Sequence, residues 1–223
     1  MEQNFLDIYN QVKDSCIKNK KDPSSVEIVA VSKKQSVEKI QAYINFCEKN
    51  GYKAILGENY VQEWIAKKDL LKGNFECHLI GHLQSNKTKI AVNNFHQIQS
   101  VDSLKLANLI AKESTNAPYK IWIQVNVSGE QQKSGIQPNE VLKIVTEIEK
   151  SPLEIIGLMA ITGDYEDQTL TKFEFDKLCK IRDNLNYHKP LKLSMGMSND
   201  FKLAIDCGSS MVRIGSALFG KRE

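Results

Sequence analysis

Lys33 is the side chain in this 223-residue sequence best placed for covalent chemistry. It follows the apolar run Ile28-Val29-Ala30-Val31-Ser32, so a strand would carry it out of the core to a partly dry rim. Desolvation and nearby cations disfavour an ammonium there and free an amine to attack a carbonyl carbon. The competing reading is a lysine that opens a solvated loop with Lys34 and keeps its head in water. A second constellation lies far along the chain: Ser194-Met-Gly-Met-Ser198 with Asn199-Asp200, and Arg213-Ile-Gly215-Ser216. The first segment reads as a strand ending in a helix N-cap, where unpaired N–H groups and the Ser198 hydroxyl suit a phosphate. The second adds a cation and glycine backbone that a ligand can approach closely. Capping serines and turn glycines are common in α/β proteins. A carbonyl-seeking lysine beside a phosphate cradle is more pointed, because together they suit a phosphorylated aldehyde.

These residues act together only if the fold gathers them. Short apolar runs rich in Ile and Val occur at Glu27–Lys33, Lys53–Gly57, Phe75–Gly81, His96–Val101, Lys120–Val127, Leu153–Thr162, Leu191–Met197 and Met211–Phe219. Amphipathic segments alternate with them: Val37 to Cys47, the stretch after the cap-like Asp102-Ser103, Asn139 to Lys150 between two prolines, and Lys172 to Leu185. Most runs are apolar on both faces, the pattern of a parallel sheet. An open doubly wound sheet would show a glycine-rich phosphate turn after its first strand, and none is present. Eight runs therefore predict one closed TIM-type (β/α)₈ barrel domain over residues 1–223. Phe5, Ile8, Tyr9, Val12 and Cys16 predict an extra N-terminal helix within residues 1–20, packed on the barrel. Barrel active sites form at the C-terminal ends of strands. There Lys33, Asn59, Gly81-His82, Asp102, Asn126, Thr162, Ser198, Arg213, Gly215 and Ser216 converge on one mouth.

Composition narrows the function. Thirty Lys and Arg against 27 Asp and Glu leave a formal charge of +3, too balanced to argue for nucleic acid. The longest apolar stretch, Ile155 to Ile161, is far short of the roughly 18 residues a membrane span needs. The first 17 residues lack the basic start and apolar run of a signal peptide, so a cytoplasmic protein is expected. Five scattered cysteines without a CxxC pair read as reduced thiols rather than a disulfide framework or zinc site. His78 and His82 flank a strand end, where their side chains would lie about 13 Å apart along the chain, too far for one metal. No metal is expected.

At this point successive segments resemble one family. They are Ala30-Val-Ser-Lys33, Gly57-Glu-Asn-Tyr-Val-Gln62, Ile80-Gly-His-Leu-Gln-Ser-Asn-Lys87, Ser100-Val-Asp-Ser103, Gln124-Val-Asn-Val-Ser-Gly129, Lys133-Ser-Gly135, Gly157-Leu-Met-Ala160, Ser194-Met-Gly-Met-Ser198 and Met211-Val-Arg-Ile-Gly215. In order and over nearly the whole chain they are similar to the pyridoxal 5′-phosphate (PLP) homeostasis proteins, relatives of the N-terminal barrel of alanine racemase. The resemblance implies a modified (β/α)₈ barrel with PLP as an internal aldimine on Lys33. It also implies phosphate contacts from Ser198, Gly215 and Ser216, Arg213 facing the pyridine nitrogen, and Asn59 near the ring substituents. Two loops depart from the family: Lys34-Gln35-Ser36 replaces a Thr-Lys-Pro-like continuation, and Gly163 to Asp167 is short.

The resemblance leaves a non-catalytic PLP carrier, with PLP-dependent apo-enzymes as transient partners, against a PLP-dependent amino-acid racemase. An arginine at the pyridine nitrogen opposes the protonated electron sink that carbanion chemistry uses. Alanine racemase also has such an arginine, so the second acid–base group decides. In that enzyme a separate C-terminal domain supplies a tyrosine, and this sequence ends at Glu223 soon after the eighth strand. Tyr60 and Tyr165 are local substitutes that read better as packing or loop residues. The carrier, a monomer, is the expectation. A PLP-free barrel using Lys33 on a sugar-phosphate aldehyde is the third reading. Lys133 could also reach the mouth, but loops usually hold lysine in water.

Overall fold

A computed structural model of the protein describes residues 2–115, 118–130, 132–163 and 165–220. Residues 221–223 of the expected domain, and Asp164 of the short loop, lie outside the described residues. The element order is α1 (Glu2–Lys18), β1 (Glu27–Val31), α2 (Val37–Asn50), β2 (Ala54–Glu58), α3 (Val61–Lys67), β3 (Phe75–Leu79), α4 (Thr88–Asn94), β4 (Gln97–Val101), α5 (Leu104–Glu113), β5 (Tyr119–Gln124), α6 (Val141–Ile148), β6 (Leu153–Met159), α7 (Gln168–Asp183), β7 (Lys192–Ser194), α8 (Phe201–Asp206), β8 (Met211–Ile214) and α9 (Ser216–Phe219). The strands form a closed parallel barrel in chain order, and β1 completes the ring against β8. This is the expected TIM-type (β/α)₈ architecture with its extra N-terminal helix. No helix among the described residues is long and apolar enough to cross a membrane.

The strand spans differ from the sequence expectation mainly at their C-terminal ends. The last run, expected as a strand to Phe219, stops at Ile214. Ser216–Phe219 coils into a helical turn that buries Leu218 and Phe219. The first strand stops at Val31, so Lys33 sits in the turn beyond it. Apolar composition persists past a strand end because rim residues pack on the barrel as well as within it.

Alternation along the strands sorts side chains into two layers. Ile28 and Ala30 of β1 pack outward with Ile40 and Ile44 of α2 in the large core between sheet and helices. Val29, Ile55, Ile80, Trp122, Met159 and Met211 fill the barrel interior. Below them, at the N-terminal end, Lys53 pairs with Glu27 at 3.3 Å and Glu76 at 3.0 Å, and Lys192 pairs with Glu27 at 3.1 Å.

The N-terminal helix α1 lies over the seam. Phe5 is fully buried against Tyr43, Phe46 and Phe219, with ring centroids 5.3, 5.4 and 5.9 Å away. Just beyond α1, Asn19 donates to Asp206 at 2.6 Å and the Lys21 ammonium donates to the Ile205 carbonyl at 2.5 Å. The segment thus ties α2 to α8 and α9, the elements that follow the site loops. Phe5→Ala should lower the unfolding free energy by about 3–5 kcal/mol in urea titrations while keeping the barrel's circular dichroism. A loss under about 1 kcal/mol would make α1 an appendage rather than part of the core.

Candidate functional site

The inward row of β1 is Val29 and Val31, and Lys33 lies two residues beyond it, in the turn at the mouth end of the barrel. Lys33 is half-buried there. The register pairs Val31 with Gly57 of β2 and Val29 with Arg213 of β8. Lys33 and Asn59 lie just past the ends of these two neighbouring strands. Gly215 lies beside Val31, whose Cβ would be 3.4 Å from a Cβ added at that glycine. Lys33, Asn59, Arg213 and Gly215 therefore share one sector of the rim, β8–β1–β2.

Arg213 is 4% exposed and enters the barrel interior. Its Nη1 donates to the Ser194 carbonyl at 2.6 Å and the Ser194 hydroxyl at 2.8 Å, and its Nη2 donates to the Ala160 carbonyl at 2.7 Å. No carboxylate lies within ion-pair distance of it among the described residues, and burial lowers its pKa to about 10. The guanidinium still carries its charge near neutrality, in a setting that favours an added acceptor.

A chain of side chains continues below it. The Ser194 hydroxyl donates to Gln99 Oε1 at 2.7 Å, and Gln99 Nε2 donates to His78 Nδ1 at 2.9 Å. That acceptor role leaves the proton on His78 Nε2, which lies 3.2 Å from Glu76 Oε2. Arg213 is thus linked by hydrogen bonds, all donated in one direction, to the Glu76 carboxylate and its partner Lys53. Sequence reasoning missed Gln99 and Ser194 as supports and weighed His78 only as a metal ligand. The available signal was Gln97-Ile98-Gln99, whose alternation places amides inside the barrel.

Ser198 does not cap a helix, contrary to the sequence expectation. The helix begins at Phe201, and Ser198 lies in the preceding turn, where the Met197 N–H donates to Asp200 Oδ1 at 2.5 Å. Gly196 sets the turn at φ +96°, and a Cβ there would come within 2.5 Å of Ala204 Cβ. The Ser198 hydroxyl instead faces the next strand, 3.4 Å from the Gly215 N–H and 3.4 Å from the Ser216 hydroxyl. These long contacts gather two hydroxyls and a backbone N–H. They form a neutral donor set suited to an anion's oxygens.

Asn59 follows β2 directly, and its Oδ1 is buried without a hydrogen-bond partner. A Cβ at Gly81 would lie 2.4 Å from the Asn59 carbonyl oxygen, so only glycine lets the two strand ends approach. Beside Asn59 opens a cavity of about 230 Å³, lined by Ile80, Gln124, Asn126, Lys133 and Ile161 among others. Lys133 pairs with Glu130 at 2.5 Å, and His82 pairs with Asp102 at 3.2 Å. A larger depression near Trp64, Phe75 and Phe95 lies at the opposite, N-terminal end of β3 and β4. Of the tyrosines weighed as acid–base groups, Tyr60 is exposed. Tyr165 donates to Glu174 at 2.7 Å, which raises its pKa to about 12. The residues present therefore fit a phosphorylated aldehyde: an amine, an anion cradle, a buried cation and an unpartnered amide oxygen.

Comparison with known proteins agrees with that chemistry. Residues 15–223 match the alanine racemase N-terminal domain family. The pyridoxal phosphate homeostasis protein of Pasteurella multocida (strain Pm70) is 38% identical, over 100% of this chain and 98% of that protein. A crystal structure from Bifidobacterium adolescentis superposes with a TM-score of 0.89 at 30% identity, covering 98% of this chain and 94% of that one. PipY of Synechococcus elongatus PCC7942, solved with PLP bound, superposes at 0.77 and 30% identity, covering 94% and 100%.

The interior chain sets a pH dependence. Desolvation holds the His78 pKa below its ordinary 6.5, and hydrogen bonding to His78 and Lys53 holds Glu76 at about 2 against an ordinary 4.5. Both groups bind fewer protons folded than unfolded, so each stabilises the fold at higher pH. The His78 contribution fades as pH falls below 6.5 and that of Glu76 as it falls from 4.5 towards 2. Urea midpoints should drop in those two stages, and His78→Gln should remove the upper one. An upper stage that persists in the variant would assign it to another group.

Proposed function

This chain belongs to the pyridoxal phosphate homeostasis protein family, on a barrel of the alanine racemase N-terminal type. From that premise we propose that it holds PLP at the barrel mouth and serves the cell's PLP supply without a reaction of its own. The observation that carries this reading is the meeting of Lys33, Asn59, Arg213 and Gly215 in one sector of the rim. PLP brings an aldehyde carbon with which an unprotonated amine condenses, releasing water. Lys33 provides the amine. Ser198, Gly215 and Ser216 donate to the phosphate, Arg213 donates to the pyridine nitrogen, and Asn59 serves a ring substituent.

The same residues argue for holding rather than turnover. Arg213 cannot accept a proton from the ring nitrogen and, as a cation, repels one, which weakens the ring as an electron sink. A racemase also needs an acid–base group on each side of the bound substrate. Tyr165 keeps its proton under the influence of Glu174, and Tyr60 stands in solvent. In this reading the protein is a cytoplasmic monomer with PLP-dependent apo-enzymes as transient partners.

Adding PLP to the purified protein should produce a near-visible band. Borohydride should bleach it, with the reduced adduct mapping to Lys33. Lys33→Ala should lose band and adduct together. Alanine should show no racemisation above a protein-free PLP control. A protein that PLP never colours would sink the cofactor reading and favour the sugar-phosphate barrel, and robust racemisation would replace the carrier with an enzyme.

A further inference from the structure

Behind the rim, on the helix side of the sheet, lies a charged cluster that the proposed cofactor contacts leave unused. Lys67, at the end of α3, is 6% exposed, and Glu58 and Ser32 are fully buried. The Lys67 ammonium lies 2.6 Å from Glu58 Oε1 and 3.0 Å from Glu63 Oε1. It also donates to the Ser32 carbonyl at 3.0 Å. The Ser32 hydroxyl donates to the same Glu58 oxygen at 2.6 Å. On the far side of Lys33, the Lys34 N–H donates to Glu63 Oε1, and Lys34 takes the left-handed φ of +58°.

The cluster therefore grips the backbone on both sides of Lys33, at the Ser32 carbonyl and hydroxyl before it and the Lys34 N–H after it. Its burial is telling. A buried ion pair is a poor source of stability compared with well-packed apolar residues, and its best-attested use is to select one arrangement. The arrangement selected here is the turn that carries the lysine. Lys34 would rarely adopt a positive φ unaided, because its Cβ crowds the backbone.

We propose that Lys67, acting through Glu58, Glu63 and Ser32, is a positioning residue that fixes the turn around Lys33 and so aims its amine at the mouth. This rests on the reading of Lys33 as the PLP-bearing lysine. Small misplacements of a reacting group can cost up to about 100-fold in rate, so the effect belongs in the rate and site of attachment.

The test follows PLP attachment by borohydride trapping and peptide mapping. It uses the whole protein, the paired variant Glu58→Gln/Lys67→Met, which removes both charges together, and Lys67→Arg. The paired variant should label Lys33 at least about ten-fold more slowly and shift label to Lys34, with Lys67→Arg recovering most of the wild-type rate and specificity. A folded paired variant that labels Lys33 at the wild-type rate and specificity overturns the proposal. Should the paired variant not fold, Ser32→Ala removes a single hydroxyl and decides: a slowing of about three-fold or more supports the clamp, and an unchanged rate refutes it. Wild-type protein that traps no PLP at Lys33 is a different failure. It removes the function reading, and the clamp's cofactor role with it.

Discussion

The guanidinium of Arg213 is buried in the barrel with no carboxylate at ion-pair distance among the described residues, and much of the interior is arranged around that fact. An isolated buried charge is costly unless its donors are satisfied. Here Ala160, just past β6, and Ser194 of β7 supply carbonyls to it, and Ser194 adds a hydroxyl. The hydroxyl must accept from the arginine, so it donates onward, and Gln99 and His78 take their orientations in turn. The nearest compensating anion on this path is Glu76 at the barrel floor. Trp122 and Gln97 make a second buried polar contact at 2.7 Å within the same layer. An interior that could have been filled with aliphatic side chains is instead partly a hydrogen-bonded column ending in a cation at the mouth.

Two charged assemblies thus frame the site from opposite faces of the sheet. The Arg213 column stands inside the barrel, and the Lys67 cluster lies between sheet and helices. They are joined through the inward and outward residues of neighbouring strands. Each holds something that the strand backbone alone leaves loose. For the column it is the direction of a long side chain, and for the cluster it is a turn with an unfavourable dihedral.

What could be read from the sequence followed from how local the signal was. The eight strands showed as Ile/Val runs, and the closed parallel barrel followed from their number and two-sided apolarity. Lys33, Asn59, Arg213, Gly215 and Ser216 could be singled out as candidates because each sits at or near a strand's C-terminal end, a position that sequence order reveals. Ser198 was expected to cap a helix, but its partner is Gly215, 17 residues on and just past β8, rather than the helix that follows it. Gln99, Lys67 and the supporting role of Ser194 stayed hidden because their meaning depends on contacts across the barrel. An amide alternating with isoleucine looks the same whether it faces water or a buried arginine 114 residues later. A lysine in the last turn of a helix looks solvated until the strand beneath it supplies a glutamate.

The seam between β1 and β8 has a consequence for how the site comes into being. Lys33 emerges early in synthesis, and Arg213 follows 180 residues later. Until β8 is made, β1 has an open edge and the Val29 row has no partner on that side. A nascent chain carrying seven strands would own the lysine proposed to bear PLP, yet it would lack Arg213, Gly215 and Ser216. Long-range pairing of this kind closes late because its loop entropy must be met before its contacts form. The β1–β8 pairing that brings the proposed site residues together lies beside the contact of Phe219 with Phe5. An unfinished or opened barrel carries Lys33 without the groups proposed to retain PLP, so grip on the cofactor and completion of the fold become one and the same switch.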